Sequence, residues 1–168
     1  MSGEAGPALR RRQIAVIGSG SCDEDSDAWQ LAEEVGRRLA EAGATVVCGG
    51  LRGVMEAAAR GAATAGGEAI GILPTSEPRD ANPHCTHVVA TGIGHGRNLA
   101  VVSSGEAVVA VGGEWGTLSE IGFARAIGRP VVALRSWTLK GAGEMGSAPG
   151  VTVVGTPEEA VRAALDPT

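Results

Sequence analysis

Aromatic residues are almost absent from this chain: no tyrosine, one phenylalanine (Phe123) and three tryptophans (Trp29, Trp115, Trp137). A core with so few rings rests largely on Ala and Val, small side chains that pack closely and suit helices lying flat on a parallel sheet. No apolar run approaches the roughly 20 residues of a membrane-spanning helix, and no membrane association is expected. The stretch Ile14 to Ile17, behind Arg10, Arg11 and Arg12, is too short for a signal peptide. Those three arginines are the longest basic run in a chain of net charge −5. Nucleic-acid binding, which needs clustered Lys and Arg to displace counterions, is therefore not expected. Cysteines number three (Cys22, Cys48, Cys85), an odd count without a CxxC pair. That argues against a disulfide framework and for a reducing compartment, so a cytoplasmic location is expected. His84, His87 and His95 have no ligand spacing with the cysteines, and no metal site is expected.

Glycine is plentiful. The 27 glycines are roughly twice the usual share, and they cluster after apolar runs instead of spreading as a linker would. With 168 residues the chain fits one domain with an ordinary core. We expect a flexible segment over 1–12 and a single nucleotide-binding domain over 13–168.

The order of elements follows from periodicity and punctuation. Gln13 to Gly18 is a β-branched run ended by glycines and serines, which predicts a buried strand. Helical spacing of Leu31, Ala32, Val35 and Leu39 predicts a helix from about Ser26 to Ala42, stopped by Gly43. Further strands are expected at Thr45 to Cys48, Ala69 to Leu73, His87 to Ala90, Ala107 to Val111, Pro130 to Leu134 and Thr152 to Val154. Helices are expected at Val54 to Ala65, Arg97 to Ser104 and Thr117 to Ile127. The Gly- and Ser-rich stretch from Arg135 to Pro149 reads as a loop or lid. Thr156, Pro157 and Glu159 spell a capping box that opens the last helix. Alternating strands and helices predict an α/β fold: a Rossmann-like, doubly wound parallel sheet in three layers, α/β/α. Ligands of such sheets sit at the carboxyl ends of the strands, and the glycine clusters that directly follow strands share that rim.

Glycine lets backbone N–H groups approach a phosphate, and a following helix presents its positive end. The candidate phosphate loops are Gly18-Ser19, Gly49-Gly50 and Gly112-Gly113 with Gly116-Thr117. Arg97 stands at a helix start, where the dipole disfavours a cation, which suggests a neighbouring anion. Glu120 has two readings on spacing: a capping-box partner of Thr117, or a carboxylate that acts on the ligand. Asn98 reads as a ligand contact or a helix cap. Trp115 reads as a base-stacking ring or as a loop residue packed on the lid or a partner subunit.

The segment from Gly96 to Glu120, GRNLAVVSSGEAVVAVGGEWGTLSE, resembles the LOG family of cytokinin-activating phosphoribohydrolases. That family's pattern is Arg-Lys at a helix start, an apolar strand, then Pro-Gly-Gly-x-Gly-Thr-x-x-Glu. Arg97, Gly113, Gly116, Thr117 and Glu120 fall on it, and Cys48 to Met55 is similar to the family's Gly-Gly-x-x-Gly-[Leu/Val]-Met turn. Within the superfamily the chain is similar to the small bacterial branch and to the related molybdenum cofactor carriers. The resemblance runs from Ile14 to about Leu134.

It implies Arg97 and Glu120 as a catalytic pair, with the glycine loops as phosphate cradle. It also implies a phosphorylated small molecule as partner and a homodimer or homotetramer. No cofactor is required; a nucleotide or a molybdopterin-type compound is the ligand implied. Three positions depart from the pattern: Asn98 replaces lysine, Gly112 replaces proline and Glu114 replaces glycine. Two functions therefore stay open. One is hydrolysis of the N-glycosidic bond of a nucleoside 5′-monophosphate to base and ribose 5-phosphate. The other is non-catalytic carriage or sensing of a phosphorylated cofactor.

Overall fold

A computed structural model describes residues 10–142 and 148–167. Seven parallel strands form one sheet in the order β4-β3-β2-β1-β5-β6-β7. The strands are β1 (Gln13–Gly18), β2 (Thr45–Cys48), β3 (Ala69–Leu73), β4 (His87–Ala90), β5 (Ala107–Val111), β6 (Val131–Leu134) and β7 (Val151–Val154). The helices are α1 (Asp27–Glu41), α2 (Val54–Thr64), α3 (Arg97–Ser104), α4 (Trp115–Ala126) and α5 (Pro157–Leu165). The sheet grows outward from β1 to β4, then the chain crosses back to place β5 on the other side of β1. The loops after β1 and β5 diverge at that reversal, which opens a crevice at the strand ends.

The period-two alternation of each central strand divides the core. Ile14 and Val16 of β1, with Val46, Val109 and Val111, pack beneath α1, α2 and α5. Ala15 and Ile17, with Val47, Val108 and Ala110, pack against Val101, Val102, Ile121 and Ala124 of α3 and α4. The result is the expected three-layer α/β/α arrangement. Small residues bring α1 and α2 close together: a Cβ on Gly36 would overlap the Ala58 carbonyl, and one on Gly61 the Glu33 carbonyl. Leu99, Phe123 and Ile127 remain 42–44% exposed on or beside α3 and α4.

Local chemistry explains the helix ends. Ser26 caps α1 by accepting from the Trp29 amide at 3.3 Å. The capping box at Thr156 and Glu159 opens α5 as the spelling predicts. Helix α4 differs from expectation, because it starts at Trp115 with Glu114 as N-cap instead of at Thr117. Of the expected flexible segment, 1–9 lies outside the described residues. Arg10 and Arg12 lie against Glu106, and Arg11 against Glu68. Of the expected lid, 143–147 lies outside the described residues. Among the described residues no helix is long and apolar enough to cross a membrane.

Candidate functional site: a two-lobed crevice at the sheet reversal

The crevice has an inner lobe of about 210 Å³ and an outer lobe of about 820 Å³, and Gly20 and Met55 line both. The inner lobe is built where four segments meet: Gly18 and Ser19 at the end of β1, Gly49 after β2, Arg97 and Asn98 opening α3, and Gly116, Thr117 and Glu120 in α4. These residues lie far apart in the chain. The sheet order brings them together because β1, β2 and β5 are neighbours.

Arg97 is the dominant charge. Its side chain is buried, at 8% relative exposure, and its Nε has no hydrogen-bond partner. Among the described residues its one side-chain contact of hydrogen-bond type is Nη2 to the Met55 sulfur at 3.9 Å. No ion pair to Arg97 forms among the described residues. Burial pushes the guanidinium below its ordinary pKa, and the facing Glu120 and then Cys48 pull the other way. Gly49 is what lets Arg97 sit there, since a Cβ would overlap the guanidinium and the Met55 sulfur. A buried cation without a counterion is costly unless an anion completes it.

Glu120 is equally buried, at 7% exposure. Burial pushes its carboxyl pKa up to about 7, and Arg97 only partly opposes the rise. Near neutral pH it is therefore divided between acid and carboxylate, able to donate or accept a proton. The capping-box reading is overturned. With the helix starting at Trp115, Thr117 already lies inside the first turn, and Glu120 makes no return bond to its amide. Among the described residues no side chain caps α4, which leaves the first-turn amides of Gly116 and Thr117, both lining the lobe, available to an anion.

Other expected residues fall elsewhere. Gly50 is buried against Leu73 and Gly71, and the buried Asn82 backs the turn by donating its amide to the Gly50 carbonyl at 2.8 Å. Gly112 and Gly113 adopt positive φ (57° and 127°) and carry the chain from β5 into α4. They shape the turn without lining the lobe, and a Cβ on Gly113 would strike Thr117. Trp115 is 76% exposed and points away to meet Trp137 with ring centroids 5.3 Å apart. The reading in which it packs on the 135–149 loop is the one observed.

Glu114, a departure from the LOG pattern, sits on the rim. Its Oε1 accepts from Ser19 Oγ at 2.8 Å and Ser21 Oγ at 2.7 Å. Those hydroxyls hold its carboxyl below the usual carboxylate range. Sequence reasoning missed Met55, although it lies inside the matched turn, and missed the outer lobe altogether. That lobe is walled by Trp29, Leu51, Arg52 and Pro83 and carries Asp23, Glu24, Glu56 and Asp80. Among the described residues no group of three or more His, Cys, Asp or Glu could hold a metal ion.

Comparison with known proteins agrees with this geometry. An uncharacterized protein of Archaeoglobus fulgidus is 40% identical over 153 residues, covering 91% of this chain and 94% of that relative. The structure of the molybdenum cofactor binding protein of the phototrophic bacterium Rippkaea orientalis superposes with a TM-score of 0.82 at 30% identity, covering 95% of this chain and all (100%) of that one. The molybdenum cofactor carrier protein of Chlamydomonas reinhardtii gives a TM-score of 0.78 at 28% identity, covering 93% and 97%. Residues 11–161 match the SLOG cluster4 family, and the chain belongs to that branch of the LOG-like superfamily.

Proposed function

We propose that this protein binds a phosphorylated small molecule of the molybdopterin class in the crevice and carries or senses it without cleaving it. The observation that carries this reading is Arg97, a buried cation that lines the lobe and makes no ion pair among the described residues. A phosphate there gains the guanidinium and the α4 amides together, each charge-assisted bond contributing about 1.5–3 kcal/mol. The outer lobe has the size for a ring system beyond the phosphate. Two solved neighbours are described as a molybdenum cofactor binding protein and a carrier protein. Asn98 and Glu114 stand where the hydrolase pattern has lysine and glycine, which leaves less positive charge to hold the sugar phosphate and to balance the electrons that leave with the base.

One observation favours a second reading, N-glycosidic hydrolysis. Glu120, poised near neutral pKa opposite Arg97, has the character of a general acid–base. Mass analysis of ligand retained on protein purified from cells, combined with assay of base release from a nucleoside monophosphate panel, separates the two. Retained pterin without base release is the expected result. Base release abolished by Glu120→Gln would replace carriage with hydrolysis. No thermal stabilisation by any nucleotide or pterin would overturn both. The same reading takes the chain as a homo-oligomer, with the exposed Leu99, Phe123 and Ile127 as surface for a second copy. Light scattering checks the mass.

A further inference from the structure

We propose that Cys85 and Cys48 form a redox-active thiol pair: Cys85 is the nucleophile that a hydroperoxide oxidises, and Cys48 is the resolving cysteine that closes a reversible disulfide with it. Neither cysteine lines the crevice, and the chemistry does not depend on the ligand bound there.

The sheet brings the two sulfurs together. Cys48, the last residue of β2, is fully buried and lies opposite Gly71 of β3 in the parallel register. Adjacent strands run about 4.8 Å apart, and Gly71 has no side chain to fill the space beside Cys48. Cys85 fills it from the loop before β4: a Cβ on Gly71 would lie 2.7 Å from Cys85 Sγ and 3.4 Å from Cys85 Cβ. Both cysteines pack on the same side of the sheet, in the core beneath α1 and α2. The segment that carries Cys85 is held on each side. The Asn82 carbonyl accepts from the Cys85 amide at 3.4 Å, and Asn82 itself donates to the Gly50 and Leu51 carbonyls at 2.8 and 2.9 Å. Beyond Cys85 the Thr86 amide donates to the Ala69 carbonyl at 2.9 Å.

Exposure and charge divide the roles. Cys85 is half-buried, within reach of a small oxidant, whereas Cys48 is sealed. A hydrogen bond from the Cys48 thiol, helped by Asn82, holds the Cys85 thiol below its ordinary pKa against the effect of burial. Cys85 and burial together push Cys48 well above its own. The thiolate is the attacking form, so Cys85 reacts first. Its sulfur attacks one peroxide oxygen, the O–O bond breaks, and the leaving hydroxide takes up a proton; Cys85 becomes a sulfenic acid. Cys48 then attacks that sulfur, the S–O bond breaks, and water leaves with the Cys48 proton. Two thiols and one hydrogen peroxide give one disulfide and two waters. Cys22 takes no part, since its sulfur lies against the Ser19 carbonyl at 3.8 Å and burial pushes its thiol up. All the cysteines are free thiols in this structure, the reduced state of the pair. A pair of this kind senses oxidant instead of stapling the fold. Its bridge ties the loop before β4 to the turn whose Gly49 seats Arg97.

The test treats the full chain, reduced and then freed of reductant and metal, with hydrogen peroxide, followed by intact mass and peptide mapping. The wild type is expected to lose the mass of two hydrogen atoms and to yield a peptide cross-linked through Cys48 and Cys85, both changes reversed by dithiothreitol. Cys85→Ser is expected to lose the bridge, and Cys22→Ser to keep it. Cys48→Ala retains the nucleophile without its resolving partner, and at least about threefold more sulfenic acid should be trapped by dimedone at Cys85 than in the wild type. Should Cys48→Ala fail to fold, iodoacetamide labelling of the reduced wild type decides the roles, with Cys85 expected to react at least about tenfold faster than Cys48. A bridge that includes Cys22, a bridge between two molecules, or peroxide-treated protein with Cys85 and Cys48 unlinked overturns the inference, as does Cys48 reacting first.

Discussion

The buried carboxyl of Glu120 makes stability depend on pH in a way that one substitution isolates. Its pKa rises from 4.5 to about 7 on folding because burial disfavours the charge. The unfolded chain releases this proton earlier than the native state does, so between those values the unfolded state binds fewer protons. Native stability therefore falls as pH rises through that window and levels off above about pH 7. The full shift corresponds to about 3 kcal/mol at 1.36 kcal/mol per pH unit. Glu120→Gln removes the titration and keeps the shape, so every other titrating group cancels in the difference between variant and wild type. Urea unfolding at about pH 5 and about pH 8.5 should show the variant gaining about 2.5 kcal/mol on the wild type between the two. A difference independent of pH would refute the buried, charge-disfavouring site inferred for Glu120.

Three further substitutions probe the packing and the cradle. Gly36→Ala should destabilise by about 1–3 kcal/mol in urea unfolding, because the new methyl lands on the Ala58 carbonyl. An exposed helix would instead gain nearly 1 kcal/mol from the same change, so the sign reports the close approach of α1 and α2. Thr156→Ala removes the hydroxyl that accepts from the Glu159 amide at 3.2 Å. It should cost about 1 kcal/mol, read as a fall of about 2–4 °C in thermal midpoint. Gly49→Ala displaces the Arg97 guanidinium and should weaken phosphate binding at least about tenfold in calorimetric titration.

Most of the fold was legible because glycines punctuate short β-branched strands and helical spacing is clean in α1 and α2. The start of α4 was not. Gly112, Gly113 and Gly116 together read as a break up to Thr117, whereas Gly116 lies inside the helix, where a Cβ would meet nothing. That two-residue difference decides the role of Glu120, since it removes the capping box and leaves the carboxyl buried in the lobe. Arg97 and Glu120 were legible as a motif; their burial was not, and Arg97 lies against Met55 and the Gly49 turn across the sheet. The outer lobe is assembled from 20–24, 29, 51–56 and 80–83. No local pattern links these segments, and Asn82 holds the Leu51 carbonyl at 2.9 Å from 31 residues away. Trp115 shows the same limit, since its neighbour Trp137 is found only in space.

The function proposed above makes Arg97 a cation waiting for the phosphate of a ligand. Calorimetric titration of inorganic phosphate and AMP into wild type and Arg97→Met tests it most directly. Binding in the wild type should be lost in the variant, while the unliganded variant, freed of a buried unpaired charge, unfolds at the same or a higher temperature. Equal affinity in the two proteins would contradict the account.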